Sequence, residues 1–105
     1  MSEQITEKYS VHTNKLGYKI IGMSGADVAA IFNGYGICDH CGQKKGYGYL
    51  VPVMGHKWYC TQCHTEWSMT GQFYPEDVAY ESKVLESFKH SIIEYTKYHE
   101  GLSHN

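Results

Sequence analysis

The sequence predicts a small α+β domain with β-hairpins and a long C-terminal α-helix. Strand-like alternation in the first half of the chain and apolar residues at helical spacing from Pro75 onward predict these two kinds of element. Four cysteines arranged as two C-x2-C pairs indicate that a metal ion stabilises the fold. A length of 105 residues leaves room for one domain, 1–105, which we divide into residues 1–34, 35–71 and 75–101.

Residues 1–34 are expected to form a hairpin followed by a short helix. The hairpin has three expected parts in chain order: strand Tyr9–Thr13, turn Asn14–Gly17 and strand Tyr18–Ile21. Ser24 suits the N-cap of the helix, because its side chain can accept a hydrogen bond from a backbone N–H in the first turn. Asn33 and Gly34 are typical of a helix end, so the helix is expected to stop there.

Residues 35–71 contain all four cysteines and are expected to include a second hairpin. Its expected parts are strand Tyr47–Met54, turn Gly55–Lys57 and strand Trp58–Cys60. Pro52 has no N–H to give to a neighbouring strand, so the first of these strands is expected to lie at a sheet edge or to be bulged at that residue.

The pattern from Pro75 to Gly101 predicts a helix of about 37 Å, part of which extends beyond a domain of this size. Pro75 suits the first helical position, and Gly101 is expected to end the helix. One face is apolar apart from Glu81, and its other members are Val78, Leu85, Phe88, Ile92, Tyr95 and His99. Such a stripe most often packs within its own chain. The stripe, which Leu102 extends, is also compatible with a homodimer through this helix or with docking of the helix in a partner's groove.

The cysteine spacing C-x2-C-x18-C-x2-C is typical of a site in which four thiolates bind one structural zinc ion. Two cysteines three residues apart on a tight turn can bind one metal ion, and two such turns complete a tetrahedron of ligands. Gly42 directly after the first pair favours such a turn. The predicted ligands are Cys38, Cys41, Cys60 and Cys63. His40 and His64 adjoin them, and we expect these histidines to be exposed or to hydrogen-bond to the ligands. An iron–sulfur centre and unliganded thiols are the alternatives.

The stretch Ile37–Trp67 resembles the treble-clef and zinc-ribbon families, with a cysteine knuckle, a glycine, a β-hairpin and a second knuckle. The treble clef implies a helix that begins at the second knuckle, and Cys60–Met69 fits this, with Gly71 at its end. The spacing also resembles that of GATA-type fingers, which implies DNA binding. The basic, arginine-bearing hairpin and tail of that family have no counterpart in this chain.

The same stretch is similar to the zinc scaffold of HNH nucleases. There a C-x-x-C-G knuckle precedes a hairpin, and the later knuckle often reads C-x-x-C-H, as Cys60–His64 does. Those enzymes carry an acidic residue and a histidine on the hairpin, whereas residues 46–53 contain neither aspartate nor histidine. His56 is the nearest candidate, so the resemblance implies the scaffold, and a degenerate HNH-like metal-dependent nuclease is an alternative function.

The charge of the chain disfavours a nucleic-acid partner. It has 9 basic residues, all lysine, against 11 acidic ones, and its formal net charge is −2. Nucleic-acid binding usually needs a basic surface, and arginine is the side chain that most often reads base edges. No apolar run approaches the ~20 residues of a membrane span and the N-terminus lacks a secretory pattern, so we expect a cytoplasmic protein without membrane contact.

The remaining residues indicate a binding protein rather than an enzyme. No cysteine is left over as a nucleophile, and no phosphate-binding or serine-hydrolase motif occurs. The residues expected to contact a partner are Lys44, Lys45, Tyr47, Tyr49, Trp58 and Trp67, although such rings also build the core of a small zinc domain. We expect a non-enzymatic protein that acts through protein–protein interaction, by analogy a regulator or inhibitor like the accessory proteins of phages and mobile elements. A zinc finger that binds single-stranded nucleic acid, or binds with weak sequence specificity, is the alternative.

Overall fold

The computed structural model describes the backbone of residues 3–103 and the side chains of residues 3–98. These residues form an α+β fold with an antiparallel sheet of five strands, which lie side by side in chain order. The strands are β1 Glu3–Gln4, β2 Ser10–Thr13, β3 Lys19–Ser24, β4 Tyr47–Leu50 and β5 Trp58–Cys60. The helices are α1 Gly25–Phe32, α2 Thr61–Thr70 and α3 Val78–Ser103. The predicted fold class is confirmed.

The first hairpin, β2 and β3, has the predicted turn. Asn14 holds this turn, because its Oδ1 accepts hydrogen bonds from three backbone N–H groups. The donors are Leu16, Gly17 and Tyr18, at 3.0, 3.1 and 3.0 Å. Gly17 has a φ of 108°, a conformation that favours glycine. The second strand is longer than predicted and ends at Ser24.

One face of the sheet packs against α1 and α3 and contains the hydrophobic core. A row of residues in register crosses four strands: Val11, Ile21, Leu50 and Trp58. The helices cover this row with Val28 from α1 and with Val84, Leu85, Phe88 and Ile92 from α3. Removal of this apolar surface from water is the main force that holds the helices on the sheet.

The short helix α1 has the predicted ends. The Oγ of Ser24 accepts a hydrogen bond from the backbone N–H of Asp27 at 3.1 Å, so Ser24 is the N-cap. Asn33 follows the last turn in the left-handed conformation, with a φ of 57°. Both predictions from local sequence are therefore confirmed.

The second hairpin differs from the prediction at Pro52. β4 ends at Leu50, and a 3₁₀ turn over Pro52–Met54 replaces the expected end of the strand. β4 lies between β3 and β5, so the expectation of an edge or bulged strand was wrong. Proline has no N–H for a ladder, and its fixed φ suits the first position of a tight turn. Gly55 closes this turn with a φ of 83°.

Helix α3 also differs from the prediction at both ends. A 3₁₀ turn over Pro75–Asp77 precedes it, and it runs through Gly101 to Ser103. Glycine lowers helix stability by only about 1 kcal/mol, which is too little to end a long helix by itself. Val78 is exposed, because packing starts one turn later, at Glu81. The side chains of His99 and Leu102 lie outside the described residues.

The long axis of the molecule measures 48 Å against 29 and 20 Å for the other two. The 26 residues of α3 span about 39 Å at 1.5 Å per residue, so the helix is longer than either short axis. Ile92 is the last buried side chain among the described residues. None of the helices within residues 3–103 combines the length and the apolar character that a membrane span requires.

Candidate metal centre

The first cysteine pair lies in a tight knuckle between α1 and β4. The knuckle is closed by hydrogen bonds from Cys38 N–H to the carbonyl of Gln43 and from Gly42 N–H to the carbonyl of Cys38, both at 2.9 Å. Gly42 has a φ of 73°, which a residue with a side chain rarely adopts. The chain therefore reverses directly after Cys41 and brings both sulfur atoms to one side.

The second cysteine pair lies where β5 meets α2. Cys60 ends the strand and is the N-cap residue of the helix, and Cys63 lies in the first helical turn. The strand-to-helix junction thus positions two sulfur atoms on the same side as the first pair.

The fold brings the four sulfur atoms together. The Sγ atoms of Cys38, Cys41, Cys60 and Cys63 all lie within 4.8 Å of one another, and none of the four forms a disulfide. In a tetrahedral site with metal–sulfur bonds of 2.3 Å, the sulfur atoms would be about 3.8 Å apart. Cys38, Cys60 and Cys63 are buried, whereas Cys41 is exposed. The predicted ligands therefore lie close together, and a small decrease in the distances between their sulfur atoms would fit them to one metal ion.

Backbone N–H groups stabilise the thiolate of Cys38. Its Sγ accepts hydrogen bonds from the N–H groups of His40, Cys41 and Cys60 at 3.4, 3.5 and 3.2 Å. Burial by itself would raise the pKa of Cys38, but these donors outweigh it and lower the pKa to about 6. Cys38 is therefore suited to be a negatively charged ligand at neutral pH.

The thiol of Cys63 shows the opposite effect. Burial raises its pKa, and hydrogen bonds within the sulfur cluster raise it further. Sulfur atoms this close cannot all carry a negative charge unless a cation lies among them. Thiolates are ligands that favour soft metal ions, and four of them complete a tetrahedral shell. The residues present thus fit a divalent metal ion, which is bound only with release of protons.

Asp39 connects the two cysteine pairs, a role that the sequence did not indicate. Its backbone N–H donates to the carbonyl of Trp58 at 2.9 Å, and its Oδ2 accepts from the N–H of Trp58 at 2.8 Å. The knuckle is thereby joined to β5, two residues before Cys60. Cysteine spacing carries no signal for such a contact, since any residue is permitted between the paired ligands.

Neither adjoining histidine belongs to the cluster of ligand atoms, which contains only cysteines among the described residues. His64 is buried, its Nε2 lies 3.2 Å from Nδ2 of Asn14, and its ring lies 4.6 Å from that of Tyr49. Burial lowers the pKa of His64, which favours the neutral ring that can accept from the amide. His40 is exposed as expected. The expectation that His64 is exposed or bonded to a ligand was wrong.

The residues expected to contact a partner do not form one surface. Trp58 is 2% exposed, lies in the core and donates from Nε1 to the carbonyl of Met23 at 3.1 Å, so it is not an exposed ring of an interface. Trp67 is half-buried and stacks on Tyr18 at 5.6 Å between ring centroids. The prediction of an exposed tryptophan is therefore corrected for Trp58, because this ring fills the row of side chains under α3.

The other four residues of that set lie on two faces. Lys44 and Lys45 line a cavity beside the start of α1. Tyr47 and Tyr49 line a groove on the sheet face opposite the core, and Tyr47 is 50% exposed. The two surfaces are therefore separate candidates for a partner.

No known protein family, curated protein or solved structure matches the chain.

Proposed function

We propose that the chain is a non-enzymatic, intracellular protein that is stabilised by one structural zinc ion and acts by binding another protein. The observation that supports this most is the convergence of the four cysteine sulfur atoms within 4.8 Å. Four thiolates fill the coordination shell of zinc, which leaves no position for a substrate or an activated water. The metal would therefore hold the fold together rather than carry out a reaction.

The order of elements around the cysteines supports a treble-clef interpretation over a zinc ribbon. The first knuckle precedes the hairpin of β4 and β5, and the second knuckle opens helix α2. A helix at the second knuckle is the feature that the resemblance to the treble clef implies. The hairpin itself belongs to the five-stranded sheet, so the zinc module and the N-terminal hairpin form one continuous structure.

A catalytic function finds less support. The ring of His56, the candidate for an HNH-like nuclease, lies edge-on to Phe88 at 5.2 Å. His56 thus contacts part of the scaffold. We propose that the chain kept a nuclease-like zinc scaffold without the cleavage activity.

The exposed apolar residues favour a protein partner. Rings and other large apolar side chains at the surface are typical of protein interfaces, where tyrosine contributes strongly. Members of this set with more than half of the residue exposed are Tyr35 at 81%, Met69 at 71%, Tyr98 at 66% and Tyr80 at 53%. They lie on different elements, so the docking surface has to be defined by neighbouring cavities and charges.

Affinity capture with the full zinc-loaded chain tests this proposal. The expected result is a specific protein that binds the wild type and is lost on metal removal, with no turnover of DNA in magnesium or manganese. Cleavage of DNA that the His56→Ala variant abolishes would contradict the proposal and establish the nuclease alternative. Capture of no protein above the background of a tag-only control would contradict it as well.

The groove lined by Tyr47 and Tyr49 favours a second candidate, binding of single-stranded nucleic acid. Exposed Tyr47 and half-buried Tyr49 lie next to Lys8 and His12 there, and stacking on aromatic rings tolerates any base. The logarithm of the binding constant would fall by about 0.7 for each tenfold rise in salt concentration and each phosphate contacted. The Tyr47→Ala variant should lose oligonucleotide binding, whereas Tyr80→Ala, on α3, should not. Equal binding by both variants would remove this candidate.

A further inference from the structure

The loop of residues 34–37 separates two cavities, and Tyr35 and Gly36 line both of them. The first cavity has a volume of about 410 Å³. Its buried wall is apolar and consists of Val28, Leu50 and Trp58. A hydrophobic cavity of this size accepts one large apolar side chain.

The second cavity, of about 450 Å³, has a different character. Small residues of α1 and of the segments on either side of the knuckle line it together with Lys44 and Lys45. No acidic residue lines it. Among the described residues neither lysine forms an ion pair, whereas Lys8 and Lys89 do. The cavity therefore offers two positive charges that have no counter-charge within residues 3–98.

The loop between the two cavities carries exposed apolar side chains. Tyr35 is 81% exposed and Ile37 is 44% exposed. Tyrosine supplies a large contact area and loses little conformational entropy, which is why it is common at the centre of protein interfaces. Tyr35 lies between an apolar cavity and two lysines that form no ion pair within residues 3–98, so it is at the centre of the candidate contact surface.

The backbone holds this surface in a fixed shape. Gly25 N–H donates to the carbonyl of Gly46, and Lys45 N–H donates to the carbonyl of Gly36, both at 3.0 Å. A Cβ atom on Gly25 would lie 3.3 Å from the Cα of Gly36, so the loop and α1 are in direct backbone contact. A surface that is ordered before binding loses less entropy when a partner docks.

We propose that the loop of residues 34–37 and its two cavities bind a segment of a partner protein in which a large apolar side chain lies close to an acidic residue. The apolar side chain enters the cavity above Trp58, and the carboxylate pairs with Lys44 and Lys45. This inference rests on the proposed function, because it assigns a surface and a ligand chemistry to the protein partner.

The charges around the surface determine which group of the bound segment occupies which cavity. Asp39 and His56 lie at the first cavity, so a carboxylate placed there would face the negative charge of Asp39. At the second cavity the positive charges of Lys44 and Lys45 attract the same carboxylate. The apolar and the acidic group of the segment therefore occupy one cavity each, in one order along the loop.

The same charges favour a protein segment over nucleic acid at this place. A phosphate backbone carries one negative charge per nucleotide and would have to pass Asp39 as well as the two lysines. The chain as a whole has a net charge of −2 and no arginine. A short protein segment with a single acidic group avoids this repulsion and fills the apolar cavity.

Selection of binders from a displayed library of random peptides tests the proposal on the full zinc-loaded chain. We expect enrichment of peptides with aspartate or glutamate within a few residues of Leu, Ile, Phe or Trp. The Tyr35→Ala variant and the Lys44→Glu, Lys45→Glu double variant should each bind the enriched peptides at least about tenfold more weakly, equivalent to about 1.4 kcal/mol. The control double variant Lys15→Glu, Lys83→Glu has the same net charge and should bind like the wild type.

A charge exchange separates recognition from a general loss of structure. The Lys44→Glu, Lys45→Glu variant, shown to retain its metal, should prefer synthetic peptides in which lysine replaces the acidic residue. Enriched peptides that bind Tyr35→Ala and the double variant as tightly as the wild type would overturn the proposed surface and leave the proposed function standing. A library without any enriched peptide would overturn the proposed surface, whereas the proposed function is decided by the affinity capture. Tighter binding of a thymidine oligonucleotide that depends on Lys44 and Lys45 would overturn the choice of a protein segment.

Discussion

Asp39 shows how a residue that binds no metal can determine the geometry of a metal centre. It forms two hydrogen bonds with the backbone of Trp58, and these join the first knuckle to the strand that ends in Cys60. A further hydrogen bond between the two pairs runs from the N–H of Cys60 to Sγ of Cys38 at 3.2 Å. Contacts behind the ligands typically change metal affinity by 10- to 100-fold.

We therefore expect Asp39→Ala to weaken zinc binding about tenfold or more, because the knuckle loses the acceptor for the Trp58 N–H. Asp39→Asn keeps an oxygen acceptor at the same place and is the matched control, with affinity close to that of the wild type. Competition with a chromophoric chelator measures both affinities. Equal affinities of the alanine variant and the wild type would contradict this role of Asp39.

Two glycines in the same segment differ sharply in their surroundings. A Cβ atom on Gly48 would lie 2.3 Å from the carbonyl oxygen of Tyr59 and 2.9 Å from the Cα of Cys60, whereas one on Gly46 would meet nothing within 4 Å. These atoms belong to β5, whose only neighbour among the described strands is β4, so they cannot move aside without breaking the ladder between the two strands. Only a glycine therefore allows the second cysteine pair to lie this close to β4.

Gly48→Ala is expected to lower the free energy of unfolding by about 3 kcal/mol, because overpacked sites are relieved only by backbone shifts. Gly46→Ala, two residues away, should change it by no more than about 1 kcal/mol and in either direction. Urea unfolding of the two variants provides the comparison. Similar stabilities of both variants would show that β4 and β5 can separate at Gly48.

At the level of elements, α3 is attached to the first hairpin through a buried carboxylate. Glu81 is 4% exposed, and its Oε2 accepts a hydrogen bond from the backbone N–H of Lys19 at 2.9 Å. Beside it, the hydroxyl of Tyr18 donates to Oδ2 of Asp77 at 2.8 Å and accepts from the N–H of Tyr74 at 2.9 Å. The start of α3 and the segment before it are thus held by polar contacts where the apolar core ends.

Burial raises the pKa of Glu81, the negative charge of Asp77 adds to this, and the hydrogen bond and charge of Lys19 only partly offset it. A carboxyl with a raised pKa binds its proton more tightly in the folded protein than in the unfolded one. Its contribution to stability is therefore largest at acidic pH and is lost as pH rises from the usual 4.5 through the folded value.

Glu81→Gln keeps the acceptor for Lys19 and removes the titration. The variant should be at least as stable as the wild type at neutral pH, and its free energy of unfolding should fall less steeply with pH above 4.5. Urea unfolding over a pH series measures this, with exposed Glu76→Gln as the control. A steeper pH dependence in the Glu81→Gln variant would contradict the sign of the effect.

Local sequence signals predicted the elements that local physics determines. The Asn14 turn and the Ser24 cap each depend on hydrogen bonds within a few residues, and each was predicted. The helix after Cys60 was implied only by the resemblance to the treble clef, and it is present. Pro52 and Gly101 were interpreted wrongly, because whether a proline ends a strand or a glycine ends a helix depends on the tertiary packing around it. The buried carboxylate of Glu81 was seen only as a polar residue on an apolar face, since its partner is 62 residues away.

The metal ligands were predictable for a similar reason. Paired cysteines on tight turns are a local pattern, and the structure brings the two pairs together as expected. The surface residues were less predictable, because a ring such as that of Trp58 has the same sequence signal in the core as at an interface. Trp58 lies in the core because the fold buries it, and the burial of a single ring cannot be read from the residues next to it in sequence.

At the level of the whole molecule, a series of ring contacts connects the cysteine module with the segment before α3. The rings follow one another with centroid distances of 5.9, 4.6, 6.0, 5.6 and 4.8 Å. Their order is Tyr47, Tyr49, His64, Trp67, Tyr18 and Phe73. Helix α2 is thus packed against both the sheet and the first hairpin, so a change in the zinc module is expected to reach the whole fold.

The packing of helix α3 against the sheet bears on the oligomeric state. Leu85 and Ile92, two members of the stripe that suggested a homodimer, are buried in the core of their own chain. A dimer through α3 would have to use other residues, and it stays a prediction. Sedimentation equilibrium of the zinc-loaded chain determines whether it forms.

The central claim is that one zinc ion on four cysteines holds the fold together, and metal binding and folding are therefore coupled. Native mass spectrometry of the purified chain, before and after chelation and for the Cys38→Ser variant, tests this most directly. We expect one zinc ion per chain in the compact wild type, and an expanded charge-state distribution once the metal or the Cys38 ligand is lost. A metal-free chain, or a Cys38→Ser variant, that stays as compact as the zinc-loaded wild type would contradict the claim.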